Sequence, residues 1–107
     1  MRWRVAPVDA WPEEGVRTVE VSEDLRIAVF RVGGRFYALE DRCSHEDAPL
    51  SEGEIVDGCC VKCPWHGARF DLATGRPLSL PAVLPVQTFP VIVENGQVFV
   101  EVPETLA

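Results

Sequence analysis

Apolar and polar residues alternate along most of this chain, and short turn sequences separate the alternating runs. The run from Val16 to Val21 has the period of two that is expected of a half-buried strand. The runs Leu25 to Val32 and Phe36 to Leu39 follow it, joined by Gly33-Gly34, which is a two-residue hairpin signal. An earlier strand, Trp3 to Ala6, is predicted to end at Pro7.

The C-terminal part continues the pattern, with Val86 to Glu94 and Val98 to Val102 on either side of Asn95-Gly96, a strong hairpin signal. In the middle of the chain, Ile55 to Lys62 is typical of a hairpin that turns at Asp57-Gly58. No segment keeps a helical period over three turns. About nine short strands at this spacing predict an all-β sandwich or barrel.

Length and charge narrow the function. A chain of 107 residues is expected to form one domain with a modest core. Its net charge of −7 argues against binding to nucleic acid or to anionic membranes. The N-terminus lacks the apolar stretch of a signal peptide, and no apolar run is long enough to cross a bilayer. The sequence therefore predicts a soluble cytoplasmic protein.

Two short Cys/His motifs carry the candidate chemistry. Cys43 and His45 form a C-x-H motif, and Cys63 and His66 form a C-x-x-H motif after seventeen intervening residues. Both histidines of the chain lie in these motifs. Thiolate and imidazole are soft or borderline ligands, so the four side chains predict a metal centre.

The pattern C-x-H-x17-C-x-x-H, continued by Gly67 and Phe70-Asp71, resembles the Rieske family of [2Fe–2S] proteins. That resemblance implies a Rieske fold over residues 1–107: an antiparallel β-sandwich base with an inserted cluster-binding subdomain at about residues 41 to 82. It also implies the cluster ligands, with Cys43 and Cys63 on an inner iron and His45 and His66 on an outer iron near the surface. Protein redox partners would dock at the histidine end.

The ligand set sets the range of the reduction potential. Two thiolates and two neutral imidazoles leave an oxidised [2Fe–2S] cluster without net charge, whereas four thiolates give a charge of −2. An electron is added more easily to the neutral cluster, and such centres lie at about −150 to +300 mV against about −400 mV for plant-type clusters.

Residues around the ligands place the potential within that range. High-potential relatives carry a disulfide across the cluster, and the matching positions here are Ala48 and Trp65. They also carry a serine and a tyrosine that donate to the cluster sulfurs, where this chain has Ala68 and Phe70. Each missing donor lowers the potential by about 40–90 mV if it is worth roughly 1–2 kcal/mol, so a low potential is expected.

The chain looks like a soluble Rieske ferredoxin of bacterial ring-hydroxylating dioxygenases. The resemblance implies an electron-transfer component rather than an enzyme, taking single electrons from a flavin-dependent reductase to an oxygenase. Two alternatives remain open. One is the small Rieske-like subunit of an assimilatory nitrite reductase. The other is a structural zinc module, although zinc sites usually pair like ligands in each motif.

Adjacent cysteines rarely form a disulfide, so Cys59 and Cys60 are predicted to be reduced thiols on opposite faces of a strand. A redox switch or a spare pair of ligands is the alternative. Trp3 and Trp11 are assigned to packing.

The surface near the ligands is predicted to be acidic and to attract basic partner surfaces. Trp65 is expected to shield the cluster or contact a partner. The segment Leu80-Pro81 to Pro85 is expected to cover the cluster. The acidic residues are Asp41, Glu46, Asp47, Glu52 and Glu54.

Overall fold

The computed structural model describes residues 1–43, 48–65, 67–80 and 84–106. Within them the chain forms ten strands and three short 3₁₀ turns. The strands are β1 (Arg2–Pro7), β2 (Gly15–Ser22), β3 (Leu25–Val32), β4 (Arg35–Glu40), β5 (Glu54–Val56), β6 (Cys60–Lys62), β7 (Arg69–Asp71), β8 (Thr88–Phe89), β9 (Val91–Glu94) and β10 (Gln97–Glu101). The 3₁₀ turns are Val8–Ala10, Leu50–Glu52 and Glu104–Leu106.

The strands form three antiparallel sheets. The first has the order β1-β10-β9, the second β2-β3-β4-β8, and the third β5-β6-β7. Every pairing between neighbouring strands is antiparallel. The all-β prediction is confirmed, and no helix within the described residues is long and apolar enough to cross a membrane.

Strand β3 lies between two hydrophobic cores. Ile27 and Val29 belong to a core shared with residues of the first sheet, such as Val98. Ala28 and Phe30 belong to a second core, which contains Cys43, Cys63 and residues of the third sheet. Because alternate strand residues point to opposite faces, the second sheet separates these two cores.

The predicted hairpins form with the backbone that their sequences favour. Gly33 and Gly34 have φ of 59° and 79°, and Asn95 and Gly96 have 52° and 74°. The Asp57-Gly58 turn has the same left-handed backbone, with φ of 54° and 66°. Glycine, asparagine and aspartate are the residues that adopt this region at low cost, so these turns fix their hairpins.

The predicted strand from Val86 to Glu94 is wrong as a single element. Pro90 divides it into β8, which pairs with β4, and β9, which pairs with β10. Proline lacks the N–H that continues a ladder, so the chain crosses here from the second sheet to the first.

Strand β7 begins at Arg69, three positions after His66 in the sequence. Phe70 lies opposite Val61 in β6, and Pro77 forms an isolated bridge with Phe70 on the other side. The second ligand motif is therefore followed at once by an ordered strand.

Candidate iron–sulfur centre

Cys43 lies in the loop that follows β4, close to the second core. Cys43 is 1% exposed, and its thiol does not belong to a disulfide. Its backbone N–H donates to the carbonyl of Ala48 at 2.9 Å, which closes the loop across residues 44–47. His45, Glu46 and Asp47 lie outside the described residues.

Cys63 begins a second loop with the same construction, directly after β6. It is 2% exposed and does not belong to a disulfide. Its N–H donates to the carbonyl of Ala68, again five residues ahead, at 2.7 Å. Trp65 lies in this loop with more than half of its surface exposed, and His66 lies outside the described residues.

The two cysteines belong to one hydrophobic core, together with Ala48, Leu50 and Ala68. Buried cysteines outside any disulfide, on two matching loops of one core, are suitably placed and chemically suited to hold a thiophilic metal group. This donor set fits a [2Fe–2S] cluster, which takes thiolate ligands.

Asp41 holds the base of the first loop. The prediction that Asp41 belongs to an acidic docking surface is wrong. The side chain of Asp41 is fully buried and forms an ion pair with Arg26, with Oδ2 2.8 Å from Nε. Ser51 donates its backbone N–H to Oδ1 at 2.6 Å and its hydroxyl to Oδ2 at 2.7 Å. Asp41 therefore links the two ends of the loop that carries Cys43.

A glycine brings the two ligand loops together. Gly53 follows the 3₁₀ turn after the first loop, and a Cβ there would lie 2.2 Å from the carbonyl oxygen of Lys62. Lys62 is the residue before Cys63. Any side chain at position 53 would therefore separate the chain leaving the first loop from the start of the second.

The positions that differ from high-potential relatives are well defined. Ala68 and Phe70 are fully buried in the core that holds the cysteines, and neither carries a hydroxyl. Ala48 is fully buried as well, whereas Trp65 is exposed. Neither Ala48 nor Trp65 carries a sulfur, so this sequence cannot form the disulfide that crosses the cluster in high-potential relatives.

The segment after β7 returns along that strand to the second loop. Leu78 donates its N–H to the carbonyl of Arg69 at 2.7 Å, and Arg69 donates its N–H to Oγ of Ser79 at 3.0 Å. Residues 78 to 80 therefore lie beside the second ligand loop. Leu80 and Leu84 are strongly exposed, while residues 81–83 of the predicted covering segment lie outside the described residues.

Cys59 and Cys60 form a disulfide, so the prediction of two separate thiols is wrong. Cys59 ends the turn between β5 and β6, and Cys60 is the first residue of β6. Their side chains converge because Cys59 precedes the regular strand, where the alternation of faces does not yet apply.

The two tryptophans pack against the same core to different depths. Trp11 is 3% exposed, donates its indole N–H to the carbonyl of Val29 at 2.9 Å and packs edge-on against Phe36. Trp3 packs at the margin of the same core. Both roles are structural, as expected.

Two buried cysteines outside any disulfide, on matching loops of an all-β frame, are the arrangement expected of a small metal-binding β protein. The comparisons with known proteins specify it further. The family model of the Rieske [2Fe–2S] domain matches residues 2–90. A 3-phenylpropionate/cinnamic acid dioxygenase ferredoxin subunit from Photorhabdus laumondii is 45% identical over 100 residues, covering 94% of this chain and 93% of that protein.

Solved structures give the same result. One is a chain in the complex of reduced oxygenase and oxidised ferredoxin in carbazole 1,9a-dioxygenase. It is 39% identical with a TM-score of 0.88, and the match covers 92% of this chain and 91% of that chain. The Sphingomonas yanoikuyae B1 ferredoxin is 31% identical, with a TM-score of 0.87 and coverage of 96% and 100%.

The chain belongs to the Rieske [2Fe–2S] family. It carries a [2Fe–2S] cluster and acts as a ferredoxin, an electron-transfer component rather than an enzyme. The zinc interpretation is thereby excluded. Sequence reasoning missed the tie between Asp41 and Ser51 and the contact at Gly53, because both depend on chain segments meeting in space.

Proposed function

We propose that Cys43, His45, Cys63 and His66 hold the cluster, within a cluster-binding subdomain at about residues 41 to 82. The observation that carries this proposal is that two buried cysteines start two matching loops, each with its N–H bonded to the carbonyl five residues ahead. Each histidine follows its cysteine within the same short loop in the sequence. When bound, the cluster supplies one-electron transfer.

The protein serves a dioxygenase that acts on an aromatic compound, receiving electrons from a flavin-dependent reductase and passing them to the terminal oxygenase. This assignment is supported by the names of relatives, which are ferredoxin subunits of 3-phenylpropionate/cinnamic acid dioxygenase. It is also supported by similarity to a ferredoxin in complex with an oxygenase. The protein functions in the cytoplasm, where such soluble partners occur.

Partners dock at the end that carries His45 and His66. Three large apolar residues stand exposed in the second loop and in the segment that returns beside it: Trp65, Leu78 and Leu80. Exposed apolar residues grouped in this way favour a protein contact. The acidic contribution is smaller than the sequence suggests, because Asp41 is paired with Arg26 and Glu54 lies opposite Lys62.

Ligand substitution with spectroscopy tests this function. Cys63→Ser and His66→Ala are each expected to lose the visible absorption and the two irons per chain, because each removes one proposed ligand. The double substitution of Cys59 and Cys60 by serine is the matched control and should keep both. Full iron content in the Cys63→Ser and His66→Ala variants would overturn the ligand assignment.

The midpoint potential tests the low-potential assignment separately. Voltammetry of the purified protein is expected to give a one-electron wave near the lower end of about −150 to +300 mV. The physical reason is the absence of hydroxyl donors at Ala68 and Phe70. A clearly positive potential would contradict that part of the proposal while leaving the ligands in place.

A further inference from the structure

The disulfide between Cys59 and Cys60 uses the two cysteines that the cluster does not need. It lies at the turn end of the β5–β6 hairpin, and β6 runs from it toward Cys63. Cys59 is exposed to solvent, whereas Cys60 is only 4% exposed. Cys59 is therefore open to reagents, whereas Cys60 is covered.

The backbone around the disulfide is held by other interactions. Cys59 donates its N–H to the carbonyl of Val56 at 3.3 Å, and Leu72 donates its N–H to the carbonyl of Cys59 at 3.0 Å. Cys60 is paired in register with Val56 on one side and Asp71 on the other. These contacts do not require the sulfur–sulfur bond.

A disulfide between neighbours also adds little to folding stability. The stabilisation by a disulfide grows with the length of chain that it closes, and here only one peptide bond lies between the two residues. Breaking the bond therefore leaves the third sheet folded. The two sulfurs also stay close enough to bond again.

We infer that Cys59–Cys60 is a reversible thiol-exchange site for dithiol reductants on the folded protein, separate from the cluster. A thiolate of the dithiol attacks Sγ of the exposed Cys59, and the bond to Cys60 breaks as the Cys60 sulfur takes up a proton. The second thiol of the reagent then displaces Cys59 and forms the disulfide of the reagent. Two electrons and two protons pass to the protein pair.

The same chemistry does not reach the other two cysteines. Cys43 and Cys63 are 1% and 2% exposed within the second core. Thiol exchange depends on access to the sulfur, so burial makes the reaction selective for Cys59.

Differential labelling of the cluster-loaded protein tests the inference. Protein purified without reductant is treated with a maleimide, with or without dithiothreitol, while the visible absorption of the cluster is followed. The dithiothreitol is removed before labelling. Labelled positions are mapped by tryptic mass spectrometry with peptide fragmentation, since cleavage after Lys62 separates Cys63 from the pair but leaves Cys43 on the same peptide. We expect label at Cys59 only after reduction, with no loss of cluster absorption.

The Cys60→Ser variant is the control, because it leaves Cys59 as a free, exposed thiol. It should be labelled without any reductant, which shows that the assay detects position 59. The inference is overturned if the unreduced native protein is labelled at Cys59, if the reduced native protein is not labelled there while the variant is, or if labelling appears only as the cluster absorption is lost. Resistance of Cys59 in the variant would also overturn it, because the sulfur would then be inaccessible. None of these outcomes bears on the four proposed ligands.

Discussion

Gly53 shows how one missing side chain positions two cysteines. Its φ of −80° is ordinary for any residue, so the need for glycine comes from the carbonyl of Lys62, which would lie 2.2 Å from an added Cβ. Gly53→Ala is expected to push apart the two ligand loops at a cost of about 1–3 kcal/mol, as in other overpacked sites. The measurement is iron content per chain together with the melting temperature, both of which should fall.

Gly96→Ala is a useful comparison for that prediction. Position 96 has φ of 74° with open space around it, so alanine there adds only backbone strain of about 1–2 kcal/mol. It should lower the melting temperature and leave the iron content unchanged. Equal iron loss in both variants would mean that the Gly53 contact has no special role.

Ala68 and Phe70 allow the potential to be changed one hydroxyl at a time. Both are fully buried beside the cysteines, and a hydroxyl that donates to the cluster stabilises its reduced, more negative state. Phe70→Tyr and Ala68→Ser are each expected to raise the midpoint potential by about 40–90 mV. Phe99→Tyr, in the first sheet, should leave it unchanged, and equal shifts in all three variants would contradict the argument.

Among the structural elements, the first ligand loop depends on a single buried carboxylate. Asp41→Ala removes the acceptor for the N–H and hydroxyl of Ser51 and the partner of Arg26. Because Arg26 is almost half exposed, its charge stays solvated, and the loss is mainly that of charge-assisted hydrogen bonds, about 1–3 kcal/mol. Bleaching of the cluster absorption on warming should be about tenfold faster.

Ser51→Ala separates the two kinds of bond to Asp41. It removes only the hydroxyl donor and keeps the backbone N–H bond, so its effect should be about 1 kcal/mol and the bleaching rate should rise less. A Ser51→Ala variant that bleaches as fast as Asp41→Ala would show that neither the backbone bond nor the ion pair with Arg26 contributes.

Elements were predictable from the sequence where local chemistry decides them. The hairpins at Gly33-Gly34 and Asn95-Gly96 require left-handed residues, and only a few residue types supply that backbone. The division of the strand at Pro90 could not be predicted, because the hydrophobic pattern continues across the point where the chain changes sheets. The Cys59–Cys60 disulfide could not be predicted, because adjacent cysteines rarely bridge and the sequence does not show that Cys59 lies in the turn before β6.

For the whole molecule, net charge is a poor guide to the docking surface. The chain carries −7, yet the end near the second loop exposes Trp65 and Leu80. Leu80→Ser should weaken binding to the oxygenase and raise the KM for the ferredoxin about tenfold, equivalent to about 1.4 kcal/mol of lost apolar contact. The assay is reduction of the oxygenase by stopped-flow spectroscopy.

Val93→Ser is the matched control for that substitution. Val93 is also exposed, but it lies in β9 of the first sheet, away from the ligand loops. It should leave the KM unchanged, and both variants should keep the midpoint potential. An unchanged KM in Leu80→Ser, or a rate of electron transfer to the oxygenase that depends steeply on salt, would favour an acidic docking surface instead.

The proposed ligands can be named from the sequence, but the contacts that position them cannot. Coordination chemistry restricts which residue types serve as ligands, and the four candidates and their spacing stand in the sequence. The role of Asp41 was not predictable, because an acidic residue in a loop is usually solvated and only the return of Ser51 buries it. Contacts between distant segments carry no local signal.

Strand β3 contributes side chains to both hydrophobic cores. Its Ile27 and Val29 complete one core and its Ala28 and Phe30 complete the other, so the two cores share this strand. Opening the core that holds the cysteines would hydrate one face of the strand that the other core also needs. We therefore expect the two cores to unfold together rather than separately.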